Sequence, residues 1–309
     1  MEAVQRRSLR PALLPLAALV ADWVLTALWP LIGASGLRYY SGIVFLWAGL
    51  ALGLAALSPW LAARGRWRRM LARDVAPSLL AMGFFSGLAT AIYIVALNYT
   101  TPVNAVILAQ VEVLYSVLLS AHFLDERPTP KQSLASLLVV AGTALIVLHD
   151  LRSPRWRGDL MILATPWMYQ VSHVFSKKLP RDLDATTLSG GRVFYGLITM
   201  LPLAAWSLAR GAAWNWEPAA LRLLLAQGLL MSSLNFVLWY AAIRGMPLSK
   251  ATTMLLSYPA LTLVFSWGLG REQIRAVQLA GLACTFAGAL WTARLSLARG
   301  GDGAVESPI

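Results

Sequence analysis

Predominantly apolar windows of about 20 residues recur along the whole chain, and nothing else in the sequence limits its fold so strongly. They run Ala12–Ile32, Tyr39–Ala62, Val75–Leu97, Pro102–Phe123, Gln132–Leu148, Leu160–Phe175, Ser189–Leu208, Ala220–Ile243, Ser249–Trp267 and Val277–Leu295. At about 1.5 Å of rise per residue each can cross a hydrocarbon layer of about 30 Å as a helix. Backbone groups in lipid must find their partners inside the segment, so the expected fold class is an all-α polytopic membrane protein with ten transmembrane helices. Charged residues make up 13% of the 309, against about 25% in soluble domains. The loops between windows are short, which leaves no room for a soluble domain. The basic start, MEAVQRRSLR, precedes a full span and no cleavage site, so the first window is expected to remain as a helix.

Several function classes are thereby excluded. Lys and Arg outnumber Asp and Glu by 26 to 14, but they fall between windows and on no single face, so nucleic acid is not an expected partner. The single cysteine, Cys284, has no partner for an internal disulfide and reads as a packing residue. No GxxxxGK[ST] loop, HExxH pair, Cys/His metal spacing or GxSxG elbow is present, so no cofactor, no metal and no enzyme are expected. With an inside N-terminus, Arg64, Arg66, Arg68, Arg69 and Arg73 join most other basic residues on the cytoplasmic side. Both termini are then cytoplasmic, in a multi-pass membrane protein.

Two carboxylates interrupt this apolar background near mid-membrane. Glu112, in PVNAVILAQVEVLYSVLLSAHFLD, and Asp22 both lie about ten residues from either end of their windows. A carboxylate at the centre of an inserting helix costs about 2.5–3.5 kcal/mol, so such groups face a bundle interior or a wet cavity. Two of them at one depth are the usual material of proton coupling. A permanently hydrogen-bonded role, or pairing with a buried base such as Lys250, is the alternative. Helical geometry puts Leu108, Tyr115, Ser116 and Leu119 on the Glu112 face and turns Gln110 away, while Thr26 and Trp29 share the Asp22 face. The sixth window, TPWMYQVSHVFSKK, groups Tyr169, Gln170 and His173, the last a candidate proton relay. Asn235 and Trp239 are one turn apart, and Tyr258 stands beside Pro259. Trp60, Trp67, Trp156, Trp214 and Trp216 read as interfacial anchors, whereas Trp23, Trp29, Trp167 and Trp239 lie deeper and could line a cavity for apolar, aromatic or cationic solutes. The candidate substrate- and proton-binding residues are Glu112, Asp22, Trp29, Tyr115, Trp167, Gln170, His173, Asn235, Trp239 and Tyr258; interhelical glue is the competing role for the polar ones.

The two halves repeat. A shift of 146 pairs Ala96 with Ala242, Glu126 with Glu272, Gln132 with Gln278, Gly142 with Gly288, and Glu112 with Tyr258. LRYYSG and GRVFYG pair Arg38 with Arg192 at a shift of 154, and ADWVLT aligns loosely with TPWMYQ, setting Trp23 beside Trp167. An odd number of spans per copy means that the second copy enters from the opposite side, which gives two inverted five-helix repeats facing a site near the midplane. Arg38 and Arg192, opening the second helix of each copy, are expected as snorkelling anchors or gates.

At these residues the chain resembles the EamA branch of the drug/metabolite transporter superfamily, over nearly all of Ala12–Leu295. It departs from that pattern at Val113, where the second copy has Pro259, and at Ala135, where it has Gly281. The repeat and the resemblance together imply a first EamA-like repeat over residues 1–150 and a second over 151–298, and the composition of GGDGAVESPI reads as a disordered cytoplasmic tail over 299–309. It also implies export of an amino acid, metabolite or drug-like amphiphile, with protons and the lipid bilayer as the other partners and the chain acting as a monomer or homodimer. A gradient-independent facilitator or lipid flippase of the same fold is the alternative.

Overall fold

The computed structural model describes residues 2–100, 102–125, 129–147, 156–255 and 257–269, with scattered helical residues, at most three in a row, between 276 and 295. Among the described residues every regular element is a helix. In chain order they are α1 (Glu2–Gly36), α2 (Gly42–Ala63), the short α3 (Arg66–Met70), α4 (Ala76–Ala96), α5 (Pro102–Leu108), α6 (Glu112–Phe123) and α7 (Pro130–Val147). There follow α8 (Trp156–Leu163), α9 (Pro166–Lys178), α10 (Ala185–Ala209), α11 (Pro218–Leu225), α12 (Asn235–Gly245), α13 (Leu248–Leu255) and α14 (Tyr258–Gly268). Five helical stretches among the described residues are long and apolar enough to cross a membrane: Leu13–Gly36, Gly42–Ala63, Ala76–Ala96, Ala185–Ala209 and Pro218–Gly245.

The expected windows are not all continuous helices. A 3₁₀ turn over Ala109–Val111 joins α5 to α6 immediately before Glu112. No proline lies there; instead the Gln110 side-chain amide donates to the Val106 carbonyl at 2.9 Å, taking the acceptor that the α-helical ladder would use. Window six breaks at Ala164 and Thr165, because Pro166 has no N–H to continue the ladder and restarts it as α9. Window nine is interrupted between α13 and α14, where Pro259 sits in the first turn of the new helix. Window eight is held together by a π segment over Ala226–Leu234. α10 begins at Ala185, four residues earlier than Ser189, because the Asp184 carboxylate accepts from the Thr187 N–H at 2.8 Å and its hydroxyl at 2.7 Å. A cap of this kind contributes about 1 kcal/mol. Most of window ten, Glu126, Arg127, His149, Arg152, Arg155, Arg271, Glu272, Arg275, Gln278 and the tail from 299 lie outside the described residues.

Close approach of helices is arranged by glycines four apart. Gly49 and Gly53 of α2 meet Gln227, Gly228 and Ser232 of the π segment, and Gly83 and Gly87 of α4 meet Gly196 and Met200 of α10. In lipid the gain comes from van der Waals contact between backbones, which only small residues permit. Buried hydroxyls find partners along or across the bundle. Thr90 donates to Ser86 O, Thr262 to Ala27 O at 2.9 Å, Ser172 to Met82 O at 2.9 Å, and Ser136 and Thr253 share a 2.7 Å bond.

One end of the bundle is sealed by an apolar core containing Leu61, Met70, Leu79, Leu183, Leu188, Tyr240, Ile243 and Leu248. Over it lies a polar clasp. Arg69 donates to Asp182 at 2.8 Å and to both oxygens of Asp74 at 2.8 and 2.7 Å, while Arg244 donates to Leu179 O at 3.0 Å. Lys177 Nζ caps the end of α12 through Ile243 O and Met246 O at 2.7 and 2.8 Å. Hydrogen bonds from Arg69 hold the Asp74 and Asp182 carboxyls below the usual carboxylate range. Groups depressed on folding add stability above their unfolded pKa, about 4, and lose it as pH falls through the folded value. The difference in thermal midpoint between the wild type and Asp182→Asn should therefore be constant from neutral pH to about pH 5 and vanish in stronger acid. High salt should shrink it, because the clasp is exposed.

Candidate functional site

One cavity of about 130 Å³ brings most of the polar groups from the middle of the windows together. Its wall is drawn from α1 (Asp22, Thr26, Trp29), α4 (Ser86, Thr90, Tyr93), α9 (Tyr169, His173), α10 (Arg192) and α12 (Asn235, Phe236, Trp239). The interrupted windows also reach it, through Ala109 and Glu112 at the 3₁₀ turn, Gln227 and Ser232 of the π segment, and Tyr258 at the start of α14. Breaks of this sort release backbone groups and re-aim side chains, and they are tolerated at membrane depth where they line a cavity.

Each acid sits in its own cluster. Asp22 is 1% exposed, and its Oδ1 accepts from Asn235 Nδ2 at 2.7 Å. The same amide donates to Thr26 Oγ1 at 3.0 Å, tying α12 to α1. Asp22 Oδ2 is buried with no hydrogen-bond partner among the described residues. Glu112 Oε1 accepts from Gln170 Nε2 at 2.7 Å and lies 3.9 Å from His173 Nε2; its side chain keeps 17% exposure. Trp239 Nε1 donates to His173 Nδ1 at 3.2 Å. That bond requires an unprotonated Nδ1, so the heavy-atom geometry assigns the neutral ring's proton to Nε2, pointing at Glu112. Nitrogen-15 spectra of histidine-labelled protein should show the Nε2–H tautomer in the wild type and a mixed population in Trp239→Phe.

Of the residues singled out from sequence, Asp22, Glu112, Trp29, His173, Asn235, Trp239 and Tyr258 line this cavity. Gln170 is fully buried behind it and acts through Glu112. Tyr115 is half-buried and does not line it, because the cavity extends from Glu112 toward Ala109, the opposite direction along the helix. Trp167 is 38% exposed and packs edge-on against Phe85 on the outside. Lys250 is buried on α13 but is not among the residues that line the cavity.

The largest departure is Arg192. It is neither an interfacial anchor nor a mouth residue but a cavity wall residue, 5% exposed, with its guanidinium 3.7 Å from the Phe236 ring centre and 3.3 Å from Tyr240 OH. It lies within electrostatic range of Asp22, Glu112 and His173. The sequence signal for it was the Asp184–Thr187 cap, which starts α10 two turns before Arg192 and so carries it into the bundle. Arg38, its expected counterpart, is exposed in the α1–α2 turn, beside a shallow recess shared with Arg222.

The model of the EamA-like transporter family matches residues 13–148 and again 156–294. An uncharacterized transporter of Archaeoglobus fulgidus is 27% identical over 76% of this chain and 83% of its own length. A probable terminal-alkyne amino-acid exporter of Streptantibioticus cattleyicolor is 27% identical over 75% of this chain and 77% of its own. A crystal structure superposes with a TM-score of 0.73 at 19% identity, over 93% of this chain and 99% of that one, a likeness of fold.

Proposed function

Because the chain belongs to the EamA-like transporter family, and is thus a multi-pass membrane transporter, we propose that it exports a small organic solute across a bacterial inner membrane in exchange for protons. The observation that carries this reading is the meeting of Asp22 and Glu112 at one cavity, each steadied by one amide, Asn235 and Gln170. An acid that must bind and release a proton needs an oxygen free to carry it. Asp22 Oδ2, without a partner among the described residues, and the part-exposed Glu112 both meet that need. The direction of transport is supported by the exporter among the relatives.

The cavity alternates between the two sides as the halves rock, with protons and solute taking turns at the carboxylates. The halves are residues 1–150 and 151–298, two inverted repeats of five helices, ten in all. Two observations support this: the family match comes in two copies, and the 3₁₀ turn at Ala109–Val111 falls, under the shift of 146, on the interruption before Tyr258. Both termini are cytoplasmic in this arrangement, and the clasp of Arg69 with Asp74 and Asp182 closes the cytoplasmic end.

The test is uptake into proteoliposomes of a pooled panel of amino acids and amphiphiles, with and without an imposed proton gradient. Accumulation that requires the gradient is the expected result. Flux that only equilibrates, whatever the gradient, would make the protein a facilitator.

A further inference from the structure

We propose that the recess between Arg38 and Arg222, at the end of the bundle opposite the Arg69 clasp, binds the phosphate of an anionic phospholipid and so pins the first half of the chain to the second.

Arg38 stands in the α1–α2 turn and Arg222 in the second turn of α11, so the two cations come from the two different segments that match the family. Together with Ser35, Tyr39, Ala219 and Leu223 they line one recess of about 320 Å³. Among the described residues neither guanidinium has an ion pair, and no carboxylate lines the recess. Glu217, the acid nearest to Arg222 in sequence, instead accepts from Asn215 Nδ2 at 3.4 Å. Arginine keeps its charge at any ordinary pH, so two of them facing one recess repel until an anion lies between them. A phosphate fits, because its oxygens match the two-pronged guanidinium geometry. Most basic residues gather at the clasp end, which makes a convergent pair at the other end run against the prevailing distribution of charge.

The level of the recess points to lipid as the source of that phosphate. Tyr39 lines it, and Trp214 and Trp216, in the loop that leads into α11, are 36% and 72% exposed. Exposed aromatics of this kind mark the headgroup layer. Farther along the same helices the outward side chains are apolar. Leu225 and Leu229 follow Arg222, and Val24 lies three turns from Ser35 on the same face of α1. An acyl chain can lie along these while its headgroup stays between the arginines. With two positive charges and no acid in the wall, an anionic headgroup is favoured over a zwitterionic one, whose ammonium finds no partner. The recess is formed without lipid, since Tyr40 OH donates to Asn215 O at 2.9 Å and the Ala213 N–H donates to Ser41 Oγ at 2.9 Å, tying the start of α2 to the α10–α11 loop. It shares no lining residue with the central cavity, so lipid and solute do not compete. A bound phosphate holds the two halves at the spacing seen here and stabilises this conformation.

The experiment needs neither a gradient nor a known solute, so its outcome is separate from that of the transport reading. Purified full chain, stripped of lipid in detergent, is titrated with phosphatidylglycerol, phosphatidylcholine or inorganic phosphate. Retained lipid is counted by native mass spectrometry, and the thermal midpoint is followed in parallel. Phosphatidylglycerol should bind about fivefold more tightly than phosphatidylcholine or better, and should raise the midpoint at concentrations where inorganic phosphate does nothing. Arg38→Gln and Arg222→Gln should each weaken phosphatidylglycerol about fivefold, the usual effect of one basic residue beside an anionic headgroup, and the Lys variants should keep part of the affinity. Arg210→Gln should change nothing, because Arg210 lies at the same end of the bundle but over the Trp206 ring, outside the recess. The comparison of lipids on the wild type does not depend on any variant folding. Equal binding of the two lipids, or an equal loss with Arg210→Gln, would overturn the proposal in favour of diffuse attraction by solvated arginines. Inorganic phosphate binding as tightly as phosphatidylglycerol would overturn the assignment to lipid.

Discussion

Glu112→Gln should reduce solute accumulation to simple equilibration while leaving the protein folded. A gradient of one pH unit supplies about 1.4 kcal/mol, so an exchanger moving one proton per solute accumulates about tenfold against it. With an amide at position 112 the proton has no carrier there, and the accumulation ratio falls to unity whatever the gradient. The fold tolerates the change because the amide carbonyl can still accept from Gln170, the bond now made by Oε1 at 2.7 Å. Asp22→Asn should behave alike, with its carbonyl retaining the bond from Asn235. Uptake into proteoliposomes at several imposed gradients checks both. If the variants accumulate solute as the wild type does, the two acids are structural hydrogen-bonders.

The second large effect concerns the fold. A Cβ at Gly83 would stand 2.6 Å from the Gly196 nitrogen and 2.8 Å from Tyr195 Cβ, and neither a backbone nor a β-carbon can swing aside. Gly83→Val should therefore push α4 away from α10, at a cost of roughly 1–3 kcal/mol or more, and disturb the cavity wall through Thr90 and Arg192. Gly65→Ala is the contrast: no atom lies within 4 Å, and only its φ of +62° is strained. Thermal unfolding in detergent, followed by size-exclusion profile, should show a large loss for Gly83→Val and a small one for Gly65→Ala. Equal losses would mean that the α4–α10 contact is not a close-packed seam.

Much of this arrangement could be read from the chain. An acid in the middle of an apolar window has few places to go, so Asp22 and Glu112 were legible from position alone, and helical spacing then carried Thr26 and Trp29 with Asp22, while Asn235 and Trp239 stood out as a polar and an aromatic residue one turn apart on their own window. Depth in its window singles out Trp167, but depth does not fix which helix face it occupies. It stands six residues before His173, about 120° away around the helix, and so looks outward. Arg192 was hidden by a window that measured hydropathy, which cannot see where a helix starts; a polar cap can. The breaks before Glu112 and Tyr258 left no apolar signature either. The first depends on a side-chain amide bonding its own helix, and only the proline beside the second is visible in the sequence.

The proton account is tested most directly by counting protons when solute binds. With purified protein in weakly buffered detergent solution and a pH-indicator dye, addition of the transported solute should release protons from the wild type and none from Glu112→Gln that still binds it. Saturating binding to the wild type with no proton released or taken up would contradict the exchange of solute for protons at Glu112.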